Sequence, residues 1–80
     1  MAAPVPAVAR AARILDAMAD APRRRFTAAE LASALGIHRA TCFSIVSCLT
    51  GLGLLVRDPI RKTYALGPGL VHLGVEGRRG

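Results

Sequence analysis

Six residues in one short stretch carry the chemistry that stands out in this chain: Arg39, Ala40, Thr41, Phe43, Ser44 and Ser47. One is a guanidinium, three are hydroxyls, and two are apolar groups able to lie against a methyl. At about 100° per residue on a helix they fall on or near one face, opposite an apolar stripe. Arg39 stands where that helix begins, and a guanidinium there can pair with guanine or grip a phosphate. Ser44 and Ser47 can hydrogen-bond to base edges or phosphates, and Ala40 and Phe43 can pack on thymine methyls. Thr41, to one side, suits a backbone contact. Phe43 has a second reading, because an aromatic at the edge of an apolar stripe commonly belongs to the core. Further cations follow at Arg57, Arg61 and Lys62, and Thr27 can offer its hydroxyl and N–H to a phosphate. The shared chemistry is recognition of an anionic, base-bearing polymer.

Catalysis and metal binding lack comparable support. His38, His72, Cys42 and Cys48 share no recognised zinc spacing. The chain has no Ser-His-Asp set, no paired carboxylates and no phosphate-cradling glycine loop; Gly67 and Gly69 bracket Pro68 as turn residues. No enzyme activity, metal or cofactor is expected.

The composition sets bounds on what can hold these groups in place. Eighty residues make one domain at most. The hydrophobic share of 52% is inflated by alanine, and the aromatics are only Phe26, Phe43 and Tyr64, so helices should pack closely through small residues. The net charge is +6, with Lys62 the only lysine. Such a charge favours an anionic partner, although a GC-rich genome also raises arginine content. Its distribution says more: no acid falls between Glu30 and Asp58. Cys42 and Cys48, six apart on one helix, would point roughly 240° apart, with backbones about 9 Å apart along the axis. They cannot pair, and two free thiols fit a reducing cytoplasm. No apolar run approaches the roughly 18 residues of a membrane span. Arg10, Arg13 and Asp16 interrupt any secretory signal at the start.

The elements follow from periodicity and punctuation. Val8, Ala11, Ile14, Leu15 and Met18 predict a first helix from about Val8 to Asp20, stopped by Pro22. Pro4 and Pro6 place residues 1–7 in a flexible start. Arg23 to Arg25 form a charged loop, read first as solvated and second as a phosphate contact. "TAAE" at Thr27–Glu30 is a capping box. It opens a helix over Ala28–Leu35 with Ala28, Leu31, Ala32 and Leu35 inward, ended by Gly36 in the left-handed conformation. A third helix is predicted over Arg39–Leu52, with Cys42, Ile45, Val46, Leu49 and Leu52 as its apolar stripe. "LGLLVRD" and "TYAL" predict a hairpin turning at Asp58–Lys62. "GPGLVHLG" predicts a last short helix with Pro68 in its first turn.

The order helix, helix, tight turn, helix, hairpin is that of a winged helix-turn-helix, mainly α with a small β wing. A turn of a few residues holds two helices at a steep angle, so the second projects from the surface and fits a major groove. Ala32 is small at the crossing, Gly36 makes the turn, and Ile37, Cys42 and Ile45 are apolar to lock the angle. The segments "AARILDAMA", "FTAAELASALGIHRATCFSIVSCLTGLGLLVRDP" and "TYALGPGLVHLG" resemble the N-terminal domain of IclR-family bacterial transcription regulators, over roughly Val5 to Gly74. The resemblance implies sequence-specific binding of double-stranded operator DNA, cytoplasmic and on the nucleoid. It further implies a homodimer paired through the first helix, with a small-molecule effector only where a C-terminal domain is present in the full-length protein. His38 stands where the family usually has proline, Ser44 where it often has arginine, and Gly51 where a helix former is usual. Ser44 puts one strong phosphate or base contact in doubt.

The expected organisation is a DNA-binding domain over 8–75, with the helix-turn-helix at about 28–52, the wing at about 54–66, and a loose tail or linker at 76–80. The competing reading is a winged helix used for protein contacts or dimerisation without DNA. Its working surface would be the first helix, through Ala11, Ile14, Leu15 and Met18, unless those residues serve the domain's own core.

Overall fold

The structure, a computed structural model, describes residues 3, 5–70, 72 and 73; the expected tail at 76–80 lies outside the described residues. Three helices, α1 (Pro6–Ala19), α2 (Ala28–Leu35) and α3 (Arg39–Gly51), precede a hairpin of β1 (Leu55–Asp58) and β2 (Thr63–Leu66). Residues 68–70 and 72–73 are helical again, as "GPGLVHLG" predicts. The fold is a winged helix-turn-helix.

Local chemistry explains most boundaries. α1 starts at Pro6, two residues before the expected Val8, with Val5 as its extended N-cap. Proline at the first helical position loses no needed N–H, and its φ is already helical. Pro6 therefore starts the helix instead of excluding it. At α2 both halves of the capping box are present: Glu30 N–H donates to Thr27 Oγ1 at 3.1 Å, and Thr27 N–H donates to Glu30 Oε1 at 2.8 Å. Gly36 ends α2 at φ 65°, and the next N–H, of Ile37, reaches back to Ala32 O at 2.9 Å. α3 closes the same way. Gly53, at φ 79°, donates to Thr50 O at 3.0 Å, and Leu54 N–H donates to Leu49 O at 3.0 Å. This paired arrangement satisfies carbonyls that a helix end would otherwise leave bare.

The core lies where α1, α2, α3 and the base of the wing meet. It contains Ile14, Met18, Phe26, Leu31, Ala32, Ile37, Cys42, Val46, Leu49, Leu55 and Tyr64, with no buried polar or charged residue among the described residues. Ala11, Leu15, Ala28, Leu35 and Ile45 are partly buried against it, and two members of the expected stripes are exposed. Leu52 is 67% exposed and Val8 65%. Ten residues beyond Cys42, Leu52 falls about 80° short of three full turns and leaves the stripe. Val8 is likewise turned about 100° from the line through Ile14 and Met18. Ile14 and Met18 are consumed by the core, which removes them from any subunit contact.

The wing is antiparallel, with Leu55 opposite Leu66 and Asp58 opposite Thr63. A third segment joins it. Phe26 N–H donates to Tyr64 O at 3.0 Å, and Tyr64 N–H donates to Phe26 O at 2.7 Å. This exchange ties the arginine loop, and with it the entrance to α2, to β2. Gly67 closes the base of the wing. A Cβ there would lie 2.6 Å from the Gly53 carbonyl oxygen, and its N–H donates to Leu54 O at 2.8 Å.

Candidate nucleic-acid interface

α3 exposes the face that the sequence assigns to recognition. Its buried residues are Cys42, Val46 and Leu49, and Arg39, Ala40, Ser44 and Ser47 are exposed on the remaining surface. Thr41 is half-buried at the flank. Phe43 is 53% exposed, which excludes the reading that places it in the core. His38 caps the helix in place of a serine or aspartate: its Nδ1 accepts the Ala40 N–H at 3.3 Å. That bond sets the start of α3, and with it the place of Arg39.

The wing folds beside this face. Thr27, Ala28, Ala29, Phe43, Arg57, Arg61, Lys62 and Tyr64 line one open groove between the start of α2, α3 and the hairpin. Thr27, Phe43 and the three wing cations, far apart in sequence, are thus brought together. Ser44 is not part of it. It borders a second, apolar groove with Ala7, Val8, Ala11, Ile45, Cys48 and Leu49, on the α1 side of α3. Arg39, Ala40 and Ser47 line neither of these two grooves.

The tip of the wing is pinned. Asp58 Oδ1 accepts N–H groups from Ile60 at 3.0 Å and Arg61 at 3.2 Å, and Lys62 N–H donates to Asp58 O at 2.8 Å. The Arg61 and Ile60 N–H groups hold the Asp58 carboxyl below its usual range, with the Arg25 and Arg61 charges adding to the effect. Lys62 takes φ 57°, a conformation a non-glycine residue adopts at some cost. The cations at the tip are therefore fixed to a preformed loop.

At the start of α2 the expectation for Thr27 needs correction. Its backbone N–H is already donated to Glu30, so it is not free for a phosphate. The Thr27 hydroxyl proton and the first-turn N–H groups of Ala28 and Ala29 remain as donors, since a helix's first N–H groups have no intrahelical acceptor. The Glu30 carboxylate is held below its usual range by the Thr27 N–H first and Arg24 next.

Two arginines take structural roles that the sequence did not reveal. Arg24 pairs with Glu30 at 3.1 Å, and its guanidinium lies 4.5 Å from the centre of the Phe26 ring. Arg13 donates to the Leu35 carbonyl at 2.7 Å and so caps the end of α2 from α1. No group of three or more potential metal ligands occurs among the described residues. Burial raises the Cys42 thiol pKa, which keeps it protonated in the core, while Cys48 is exposed.

Comparison with known proteins decides the lineage. The profile of the IclR helix-turn-helix domain matches residues 7–59, well over half of the chain. The chain belongs to the IclR family. Among solved structures it is similar to an IclR transcriptional regulator from Alicyclobacillus acidocaldarius, at 35% identity and a TM-score of 0.88, covering 94% of this chain and 30% of that one. It is also similar to an IclR family transcriptional regulator from Brucella abortus, at 26% identity and a TM-score of 0.82, covering 90% of this chain and 27% of that one. The repressor BlcR of Agobacterium tumefaciens is 35% identical, with a TM-score of 0.77, covering 90% of this chain and 28% of that one. The chain thus spans under a third of the length of these IclR-family relatives. No curated protein matches its sequence. No described helix is long and apolar enough to cross a membrane.

Proposed function

We propose that this IclR-family domain binds double-stranded operator DNA and regulates transcription by occupying a promoter, with no catalytic step. α3 enters the major groove, with Arg39 at its leading end reading a guanine on the operator. Ala40 and Phe43 pack on thymine methyls, and Ser44 and Ser47 supply short hydrogen bonds. Thr41 and Thr27 touch the backbone, and Arg57, Arg61 and Lys62 grip phosphates from the wing. The observation that carries this reading is the single groove shared by Thr27, Phe43 and the three wing cations beside the exposed face of α3. The domain belongs to a cytoplasmic regulator, over about residues 8–75.

Pairing of two copies through α1 belongs to the same proposal. With Ile14 and Met18 buried, the available surface is the outer side of α1: exposed Val5 and Val8, and the groove formed by Ala12, Leu15, Asp16, Ala19, Leu66 and Leu70. An effector would act only through a further, C-terminal domain of the full-length protein.

The test is Arg39→Ala. It should abolish preference among duplexes selected from a random pool while leaving the unfolding temperature unchanged. A variant that discriminates targets as well as the parent removes α3 from the recognition role. Binding to random duplex that does not respond to salt would favour a protein-contact module instead.

A further inference from the structure

The wing tip carries an isoleucine that the phosphate grip does not use. Ile60 is 89% exposed, more than any other large hydrophobic residue among those described. A lone exposed aliphatic side chain is unremarkable by itself. This one differs in how it is held and in what surrounds it. Its own N–H and that of Arg61 are bound to Asp58 Oδ1, and the Lys62 N–H to Asp58 O, so the loop is fixed on both sides of it. Its β-branched side chain has few rotamers to lose. Arg61 and Lys62 follow it directly, and both line the groove beside α3.

We infer that Ile60 is an apolar wedge that enters the minor groove next to the α3 site and opens a base step there. The inference rests on the DNA-binding reading above and adds a bend to it. A minor groove is about 6 Å wide, narrow enough to strip water from an aliphatic group at its floor. The two phosphate backbones that flank it are the partners that Arg61 and Lys62 need. Apolar side chains used this way unstack a step and kink the duplex by about 20–90°. Pyrimidine–purine steps open most readily, so the wedge selects sequence at a place where no hydrogen bond reads a base. Because the tip is pinned before binding, little further ordering is needed when it inserts.

The experiment uses the whole chain and duplexes that it selects from a random pool, end-labelled for energy transfer. The wild-type chain should bend these duplexes by at least about 20°, and a TA or CA step should recur at the wing position. Ile60→Ser should lose most of the bend and the step preference, with affinity lowered about tenfold and an unchanged salt slope. Ile60→Leu should keep the bend. The unfolding temperature of Ile60→Ser should match the parent, since the side chain is exposed. A bend that persists in Ile60→Ser, or a wild-type complex with straight DNA, overturns the wedge and leaves the DNA-binding reading standing. Absence of salt-dependent duplex binding by the wild-type chain overturns the DNA-binding reading itself, and the wedge with it.

Discussion

Replacing Arg57, Arg61 and Lys62 together with alanine gives the sharpest quantitative test of how this domain grips DNA. The cations counted are those on α3 and the wing. Arg24 is paired with Glu30 and stacked on Phe26, and Arg13 is bound to the Leu35 carbonyl, so both already have partners within the fold. Arg39, Arg57, Arg61 and Lys62 are exposed around α3 and the wing. Each phosphate neutralised contributes about 0.9 to the log–log salt slope, so four contacts give a slope of about −3.6 per bound domain. Between 50 and 200 mM salt the contribution of these four contacts should then be a fall of about 150-fold, against roughly 3- to 4-fold for the triple variant, which of the four keeps only Arg39. Pairing of domains multiplies both slopes equally, so their ratio of about four does not depend on oligomeric state. The assay is fluorescence anisotropy on a random-sequence duplex across a salt series. Arg13→Ala is the control. It should lower stability by roughly 0.5–1.5 kcal/mol through the lost hydrogen bond and leave the slope alone. A triple variant with the parent's slope would refute the assignment of the wing as the phosphate grip.

Two further predictions concern the scaffold. Thermal melts of glycine variants should move in opposite directions. Gly51→Ala, with nothing within 4 Å of the new Cβ, should stabilise α3 by about 1 kcal/mol, worth about 4–8 °C. Gly67→Ala, whose Cβ would meet the Gly53 oxygen at 2.6 Å, should cost about 1–3 kcal/mol. Equal shifts of one sign would contradict the geometry. Acid titration should expose Glu30 and Asp58. Both carboxyls lie below their usual range when folded, so the stability they add is complete above the unfolded values and is lost as pH falls through the folded ones. Glu30→Gln and Asp58→Asn should each flatten the fall in melting temperature on acidification; an unchanged curve would show that those hydrogen bonds do not form in solution.

Features encoded within a few residues could be read from the sequence. The capping box at Thr27–Glu30, the left-handed Gly36, the inward line of Cys42, Val46 and Leu49, and the hairpin about Asp58–Lys62 each depend on neighbours in the chain. What escaped depends on where distant segments meet. The exchange of hydrogen bonds between Phe26 and Tyr64 joins residues whose separation gives no periodic signal. The same holds for Arg13 on Leu35 O. The stripe rule failed at its edges, at Val8 and Leu52, because an apolar residue about 80–100° off the packed line is neither clearly in nor clearly out until the neighbouring helix is placed. For the interface, residue type identified the cations and hydroxyls. Only the fold separated Ser44, on the α1 side, from Phe43 and Thr27, on the wing side.

Chemical probing of guanine N7 on a selected duplex tests the placement of α3 most directly, because that atom faces only the major groove. The account predicts that the bound domain protects a guanine N7 from dimethyl sulfate, and that Arg39→Ala loses this protection while the wing's backbone contacts persist. A complex that binds tightly yet leaves every guanine N7 open would contradict it.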